Sequence, residues 1–193
     1  GRLNALADRA LNEEDNGTFQ ASQKLTYPPD RHDGELLDDA RKLNLIDWND
    51  KTDITFASRE AAAYFRGGWL EEYVWYKLRG LRPYDWAVNL KTCSYGTDVE
   101  NECDAVVSHR NRLLIIECKT SGFGKNQTRD AGYIYKLAQL GNQIGGGMRS
   151  KLLLSARPIQ EELRQRAKDY GVDILAATEV RQFVDFMNQW MKG

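Results

Sequence analysis

Arg112-Leu113-Leu114-Ile115-Ile116-Glu117-Cys118-Lys119 is the stretch on which the reading turns. Its four consecutive aliphatic residues, Leu113 to Ile116, suit a central strand buried on both faces. The run then ends in two charges. Because side chains alternate along a strand, Glu117 and Lys119 point to one side and Cys118 to the other. Charges placed where a buried strand surfaces are costly unless each has a partner. The preceding strand, Val99 to His109, supplies candidates. If Arg110-Asn111 is a two-residue turn, or the centre of a four-residue one, His109 faces Arg112. Counted back, Asp104 then faces Glu117 and Glu102 faces Lys119, with opposed Cβ atoms about 5 Å apart. An odd-numbered loop would instead send Asp104 and Glu117 to opposite faces.

Two directly opposed carboxylates repel one another unless a cation lies between them. Hard oxygen ligands select Mg²⁺ or Mn²⁺ over zinc, so Asp104 and Glu117 read as a divalent-metal site. The competing reading keeps both as surface charges at sheet ends, salt-bridged to Lys119. Upstream, Leu70, Val74, Leu78 and Leu81 form the apolar stripe of a helix from Trp69 to Arg79. On that wheel Glu71 borders the stripe and can reach a site, whereas Glu72 faces water. The plain alternative for Glu71 is a solvated helix charge. Cys103 and Cys118 face one another in the same register and read as small buried core residues. Downstream, Lys136, Gln139 and Arg149, together with Lys125, Arg129 and Lys151, are candidate phosphate contacts, with a solvated face as the default for each. Gly145-Gly146-Gly147 reads as a loop leaving a helix in preference to a phosphate cradle.

The order of elements around this pair decides the architecture. Ser58 caps a helix through Arg66, and Gly67-Gly68 interrupts it before the Trp69 helix. Tyr84 to Ser94, Val99 to His109 and Arg112 to Cys118 are three successive strands. A helix from Arg129 to Gly141 follows, with Thr128 as its cap, then a strand from Lys151 to Ser155. Pro158 opens the next helix and Gly171 closes it. A strand, Val172 to Leu175, and a helix, Glu179 to Met191, complete the chain. The order αβββαβαβα predicts an α/β fold, a mixed sheet flanked by helices on both faces. Glu35 to Leu43 reads as a helix, and Leu45 to Trp48 with Thr52 to Phe56 as a hairpin about Asn49-Asp50. Residues 35–57 thus outline a small winged-helix-like connector. Residues 1–34, polar and broken by Asn16-Gly17 and Pro28-Pro29, read as an extension or linker, although a helix from Arg2 to Glu13 is compatible with them. The main domain is then 58–193.

Composition narrows the chemistry. A net charge of -1 on 193 residues means that nucleic-acid binding must come from a local patch and not from bulk charge. No apolar run approaches the ~18 residues of a membrane span. The 3 cysteines show no C-x-x-C spacing, which points away from a disulfide framework or a zinc site and towards a reducing, cytoplasmic setting. With only 2 histidines, His32 and His109, a catalyst here works with carboxylates and lysine.

Asp104 with Glu117-Cys118-Lys119 resembles the D…(D/E)-x-K signature of PD-(D/E)XK nucleases. The combination of Phe65-Arg66-Gly67-Gly68-Trp69-Leu70-Glu71-Glu72-Tyr73, Asn101-Glu102-Cys103-Asp104 and Ile115-Ile116-Glu117-Cys118-Lys119-Thr120 is more specific. It closely resembles the nuclease domain of the CRISPR-associated ancillary nucleases that carry an N-terminal CARF sensor, over roughly Ser58 to Met191. The resemblance implies a restriction-endonuclease-like fold and a Mn²⁺ or Mg²⁺ ion on Asp104, Glu117 and the Cys118 carbonyl. It implies that Lys119 positions the attacking water and that Glu71 matches the helix acid. It further implies a homodimer that cuts DNA, in some members RNA, and that is switched on by cyclic tetra-adenylate. No complete sensor domain precedes residue 58, so that ligand would act only through a domain not seen here. The contrasting expectation is a catalytically inert nucleic-acid-binding or dimerisation domain, against which the intact Asp104, Glu117 and Lys119 stand.

Overall fold

A computed structural model describes residues 2–12, 18–93, 100–124, 126–144 and 149–193. The chain divides into two compact units, Gly1–Trp69 and Leu70–Gly193. The first contains helix α1 (Arg2–Ala10), strand β1 (Ser22–Lys24), helix α2 (Arg31–Lys42), strands β2 (Ile46–Trp48) and β3 (Asp53–Phe56), and helix α3 (Arg59–Ala63). The strands form an antiparallel sheet in the order β1-β3-β2. Asp30 caps α2 by accepting the Asp33 N–H at 2.8 Å, which starts the helix ahead of Glu35. Ser58 caps α3 as predicted, its Oγ accepting from Ala61 N at 3.1 Å.

Two expectations are corrected in this unit. Residues 1–34 are not an extension: Leu6, Ala7, Ala10 and Leu11 share one core with Leu37, Ile54 and Phe56. The helix, read from sequence only as compatible with Arg2 to Glu13, spans 9 residues, and the strand of 3 is too short to show a sustained period. Gly67-Gly68 do not break the helix either. They belong to a π-helical turn, Tyr64–Gly68, in which the backbone stays helical.

The second unit runs α4 (Trp69–Leu81, beginning at the unit boundary), β4 (Asp85–Cys93), β5 (Glu100–His109), β6 (Arg112–Lys119), α5 (Gln127–Ile144), β7 (Arg149–Ser155), α6 (Glu161–Asp169), β8 (Asp173–Ala176), a 3-10 turn (Ala177–Gln182) and α7 (Phe183–Lys192). This is the αβββαβαβα order read from the sequence. The sheet order is β4-β5-β6-β7-β8, antiparallel from β4 to β6 and parallel from β6 to β8. One face packs Ile115 and Leu153 with Ile134 and Leu137 of α5 and Ala167 of α6. Leu114, Ile116, Leu152 and Leu154, all fully buried, alternate onto the other face. There α7 is tied to β7 by Trp190 Nε1 donating to Ser150 Oγ at 3.0 Å, and Tyr73 of α4 meets Phe183 of α7 with ring centroids 6.2 Å apart.

Helix ends differ in detail from the sequence reading. Asn126, not Thr128, caps α5, its side chain accepting from Arg129 N at 3.0 Å. Pro158 lies ahead of α6, whose N-cap is Gln160, and Gly171 closes that helix with φ +60°. Asn16-Gly17, Ser94, Val99, Lys125 and Gly145-Gly146-Gly147 lie outside the described residues. Among the described residues no helix is long and apolar enough to cross a membrane.

Candidate active site

Register comes first, because everything at the site depends on it. Arg110 and Asn111 both have positive φ, 49° and 59°, the signature of a two-residue type I′ turn. That turn sets His109 opposite Arg112, and the ladder runs back to Ala105 opposite Ile116. Asp104 and Glu117 occupy the next position on each strand, where the regular ladder stops. The β4–β5 ladder also steps from Val88 with Ala105 to Leu90 with Cys103, passing over Asn89, whose φ is +51°, and Asp104. Cys103 shares its core cluster with Val106, although strict alternation would put the two on opposite faces. The pleat is therefore broken at Asp104. Freed from the ladder, its Oδ2 accepts the Cys118 N–H at 2.6 Å, taking the place of a strand carbonyl. The facing of Glu102 with Lys119, and of Cys103 with Cys118, does not continue past this break, and Glu102 is exposed beside Lys91.

At the end of β6 the three polar groups converge. Lys119 Nζ lies 2.5 Å from Glu117 Oε1, 3.1 Å from the Cys118 carbonyl oxygen and 3.9 Å from Asp104 Oδ2. These are buried groups, not surface charges: the Glu117 side chain is 5 % exposed and that of Asp104 15 %. Burial, and then the Glu117 charge, push the Asp104 carboxyl up to about 7, against the pull of Lys119 and the Cys118 N–H. Burial works against the Lys119 ammonium, but Glu117 and Asp104 outweigh it and hold the amine above its ordinary value. Glu71 is half-buried on α4. Burial raises its carboxyl, and it feels the charges of Lys119, Glu102 and Glu117, whereas Glu72 is exposed. The sequence reading of α4 thus separates the two glutamates correctly. Burial also pushes the Cys103 and Cys118 thiols up, which disfavours a thiolate at either position.

The donor set fits a hard divalent cation. Among the described residues no cluster of three or more His, Cys, Asp or Glu side chains gathers in a metal-binding arrangement. The centre instead offers two buried carboxylates and one backbone carbonyl, all oxygen. The Lys119 ammonium already stands among those three oxygens and marks a place for positive charge.

The other candidate residues divide. Lys136, one turn beyond Tyr133 on α5, is exposed, and its charge reaches Cys103. Gln139 is exposed a turn further on and makes no hydrogen bond to the acids. Arg149 starts β7 beside Leu113, six residues and about 20 Å from the Lys119 end of the sheet, so it is not at this centre. Lys151 is buried and donates to the Tyr170 carbonyl at 2.7 Å, which ties its amine to the end of α6. Arg129 is engaged by Asp130 and by the Gly122 carbonyl, at 3.2 and 3.0 Å. Two neighbours were missed from sequence. The Tyr133 ring centroid lies 5.3 Å from Lys119 Nζ, and Asp130, 3 % exposed, holds the loop that follows β6 through the Gly124 N–H at 2.6 Å. An acid in the first turn of a helix reads as ordinary dipole pairing, so nothing in the sequence marked Asp130.

A family model described as Card1-like, endonuclease domain, matches residues 58–193. No curated protein matches the sequence. Among solved structures, protein VC1899 from Vibrio cholerae is similar at 26% identity and a TM-score of 0.82, covering 98% of this chain and 50% of that one. Can2 from Sulfobacillus thermosulfidooxidans, solved in complex with cyclic tetra-adenylate, is similar at 24% identity and a TM-score of 0.76, covering 99% and 51%. The chain spans about half the length of both.

Proposed function

The chain belongs to the Card1-like endonuclease domain family, and from that premise we propose that Asp104, Glu117 and Lys119 hydrolyse phosphodiester bonds of DNA, and of RNA, with Mn²⁺ or Mg²⁺. The observation that carries this reading is the convergence of Glu117, the Cys118 carbonyl and Asp104 on one cationic position at the end of a buried strand. Asp104, Glu117 and the Cys118 carbonyl would hold the ion, which when bound lowers the pKa of a water and neutralises charge on the phosphate. Asp104 is kept in place by the Cys118 N–H, so the two acids cannot drift apart without breaking a 2.6 Å hydrogen bond. Lys119 presents a fixed positive charge to the attacking oxygen and the phosphoryl oxygens. Glu71, which feels the charges of Lys119 and Glu117 from α4, would be the helix acid of the site. No covalent nucleophile is required, in keeping with two thiols at which burial disfavours the thiolate.

The role extends to the effector domain of a CRISPR-associated defence nuclease working as a homodimer. The family match and the sequence resemblance to CARF-associated nucleases support the effector role, and control by cyclic tetra-adenylate, the ligand in the Can2 complex, would need a sensor domain. The test is incubation of plasmid, single-stranded DNA and RNA with the protein and Mn²⁺, beside Glu117→Ala and Lys119→Ala. Both substitutions are expected to remove cutting by a factor of about 100 or more. Cutting that persists unchanged in both would exclude this centre.

A further inference from the structure

Next to the loop that leaves β6, the second unit opens a cleft of about 220 Å³. Phe123 and Gly124 form one wall, Gln127 and Asp130 come from the first turn of α5, and Gln160 and Arg166 close the far side. The loop is fixed in place. Asp130 takes the Gly124 N–H on Oδ2 at 2.6 Å and holds Arg129 on Oδ1, and Arg129 in turn donates to the Gly122 carbonyl at 3.0 Å. Gly124 has φ +93°, and a Cβ there would lie 2.4 Å from Gln160 Nε2, so bare backbone passes close against that amide. Side-chain contacts link the cleft to the acid centre: the Phe123 ring stands edge-on to Tyr133 at 6.0 Å, and the Tyr133 ring lies 5.3 Å from Lys119 Nζ.

The chemistry of the walls selects the occupant. A phosphate gains little here, because Asp130 already consumes the Gly124 N–H, the Arg166 guanidinium is engaged by Tyr135 Oη, and the Glu162 carboxylate lines the same cleft. The volume is below the ~300–1,000 Å³ of clefts that take drug-sized ligands, and suits a single planar ring system. Phe123 offers an aromatic surface. The side-chain amides of Gln127 and Gln160 make no hydrogen bond with another described residue, and each carries both a donor and an acceptor. An aromatic surface beside free amides is the pairing that recognises an unstacked base by its face and its edge.

We propose that this cleft receives the nucleobase of a nucleotide adjoining the scissile phosphate, with Phe123 packing on the base and Gln127 and Gln160 reading its edge. The cleft then gives the nuclease a base preference at one position beside the cut. The inference rests on the nuclease reading above.

The experiment digests randomised single-stranded DNA and RNA with the full chain and Mn²⁺ and maps the cut ends. It compares wild type with Gln127→Ala and Gln160→Ala, both at exposed positions, with circular dichroism checking that each variant is folded. Wild type is expected to prefer one base at a fixed distance from the cut, and each variant to reduce that preference about tenfold. Wild-type cutting with no preference at any flanking position, or a preference unchanged in both variants, overturns the cleft assignment alone. A wild type that cuts nothing overturns it together with the nuclease reading.

Discussion

At the scale of single residues, Asp104 holds the most information. Its carboxyl is raised from 3.8 to about 7 by burial and by Glu117, so the folded state binds a proton that the unfolded chain has already released. The sign follows from linkage. Stability from this group is intact below about pH 4, falls as pH rises towards 7, and carries the full penalty above that. A divalent ion on the two acids offsets the penalty only where Asp104 is ionised. Mn²⁺ is therefore expected to raise the melting temperature clearly at pH 8 and hardly at all at pH 5. Equal shifts at both pH values would contradict the electrostatic account. Asp104→Asn keeps an acceptor for the Cys118 N–H while removing the reluctant charge. It should stabilise the metal-free protein at pH 8 by about 1–3 kcal/mol while abolishing cutting, as read by urea titration and a nuclease assay.

At the scale of elements, the β5–β6 hairpin determines whether those side chains meet. Its turn places Arg110 and Asn111 in the left-handed region, where a side chain costs energy that Asn and Gly largely avoid. The double substitution Arg110→Asn with Asn111→Gly supplies the Asn-Gly pair that type I′ turns prefer. It should raise stability by roughly 0.5–1 kcal/mol without changing cutting. An unchanged or lowered urea midpoint would count against the turn geometry. The same hairpin shows what sequence could and could not disclose. The apolar run of β6 and the even register were legible, because burial and a two-residue loop leave few alternatives. The broken pleat at Asp104 was not, since it accompanies a positive φ of +51° at Asn89 on a different strand, which no local pattern announces. Arg149 and Lys151 were grouped with the site by closeness in sequence. Parallel pairing of β7 with β6 puts Arg149 at the opposite end of the sheet, and the Lys151 stem runs under Gly141 to a helix carbonyl. The partial burial of Glu71 was legible because α4 obeys helical periodicity. Tyr133 was missed because an aromatic on a helix carries no mark of what its ring touches.

At the scale of the whole molecule, the family match and the compact units start at different places. The match begins at residue 58, whereas the units divide after Trp69. Every residue of the acid centre, and the cleft beside it, lies in Leu70–Gly193. The intervening segment is built differently, because Ala62 and Phe65 belong to the core of the first unit with Leu6 and Phe56, and the Phe56 and Phe65 rings lie 6.0 Å apart. A protein starting at residue 58 would keep the sheet that positions Asp104 and Glu117 but strip Phe65 of its apolar surroundings. Such a fragment should retain metal-dependent cutting, while residues 58–69 become open to protease, which the full chain resists at those positions. Phe65→Ala in the full chain probes the same division. It should cost the first unit about 3–5 kcal/mol, as a large aromatic removed from a core does, and leave the cutting centre working. Protease resistance of 58–69 that is equal in fragment and full chain would show that this segment draws its order from the nuclease unit and not from the core of α1, α2 and the small sheet.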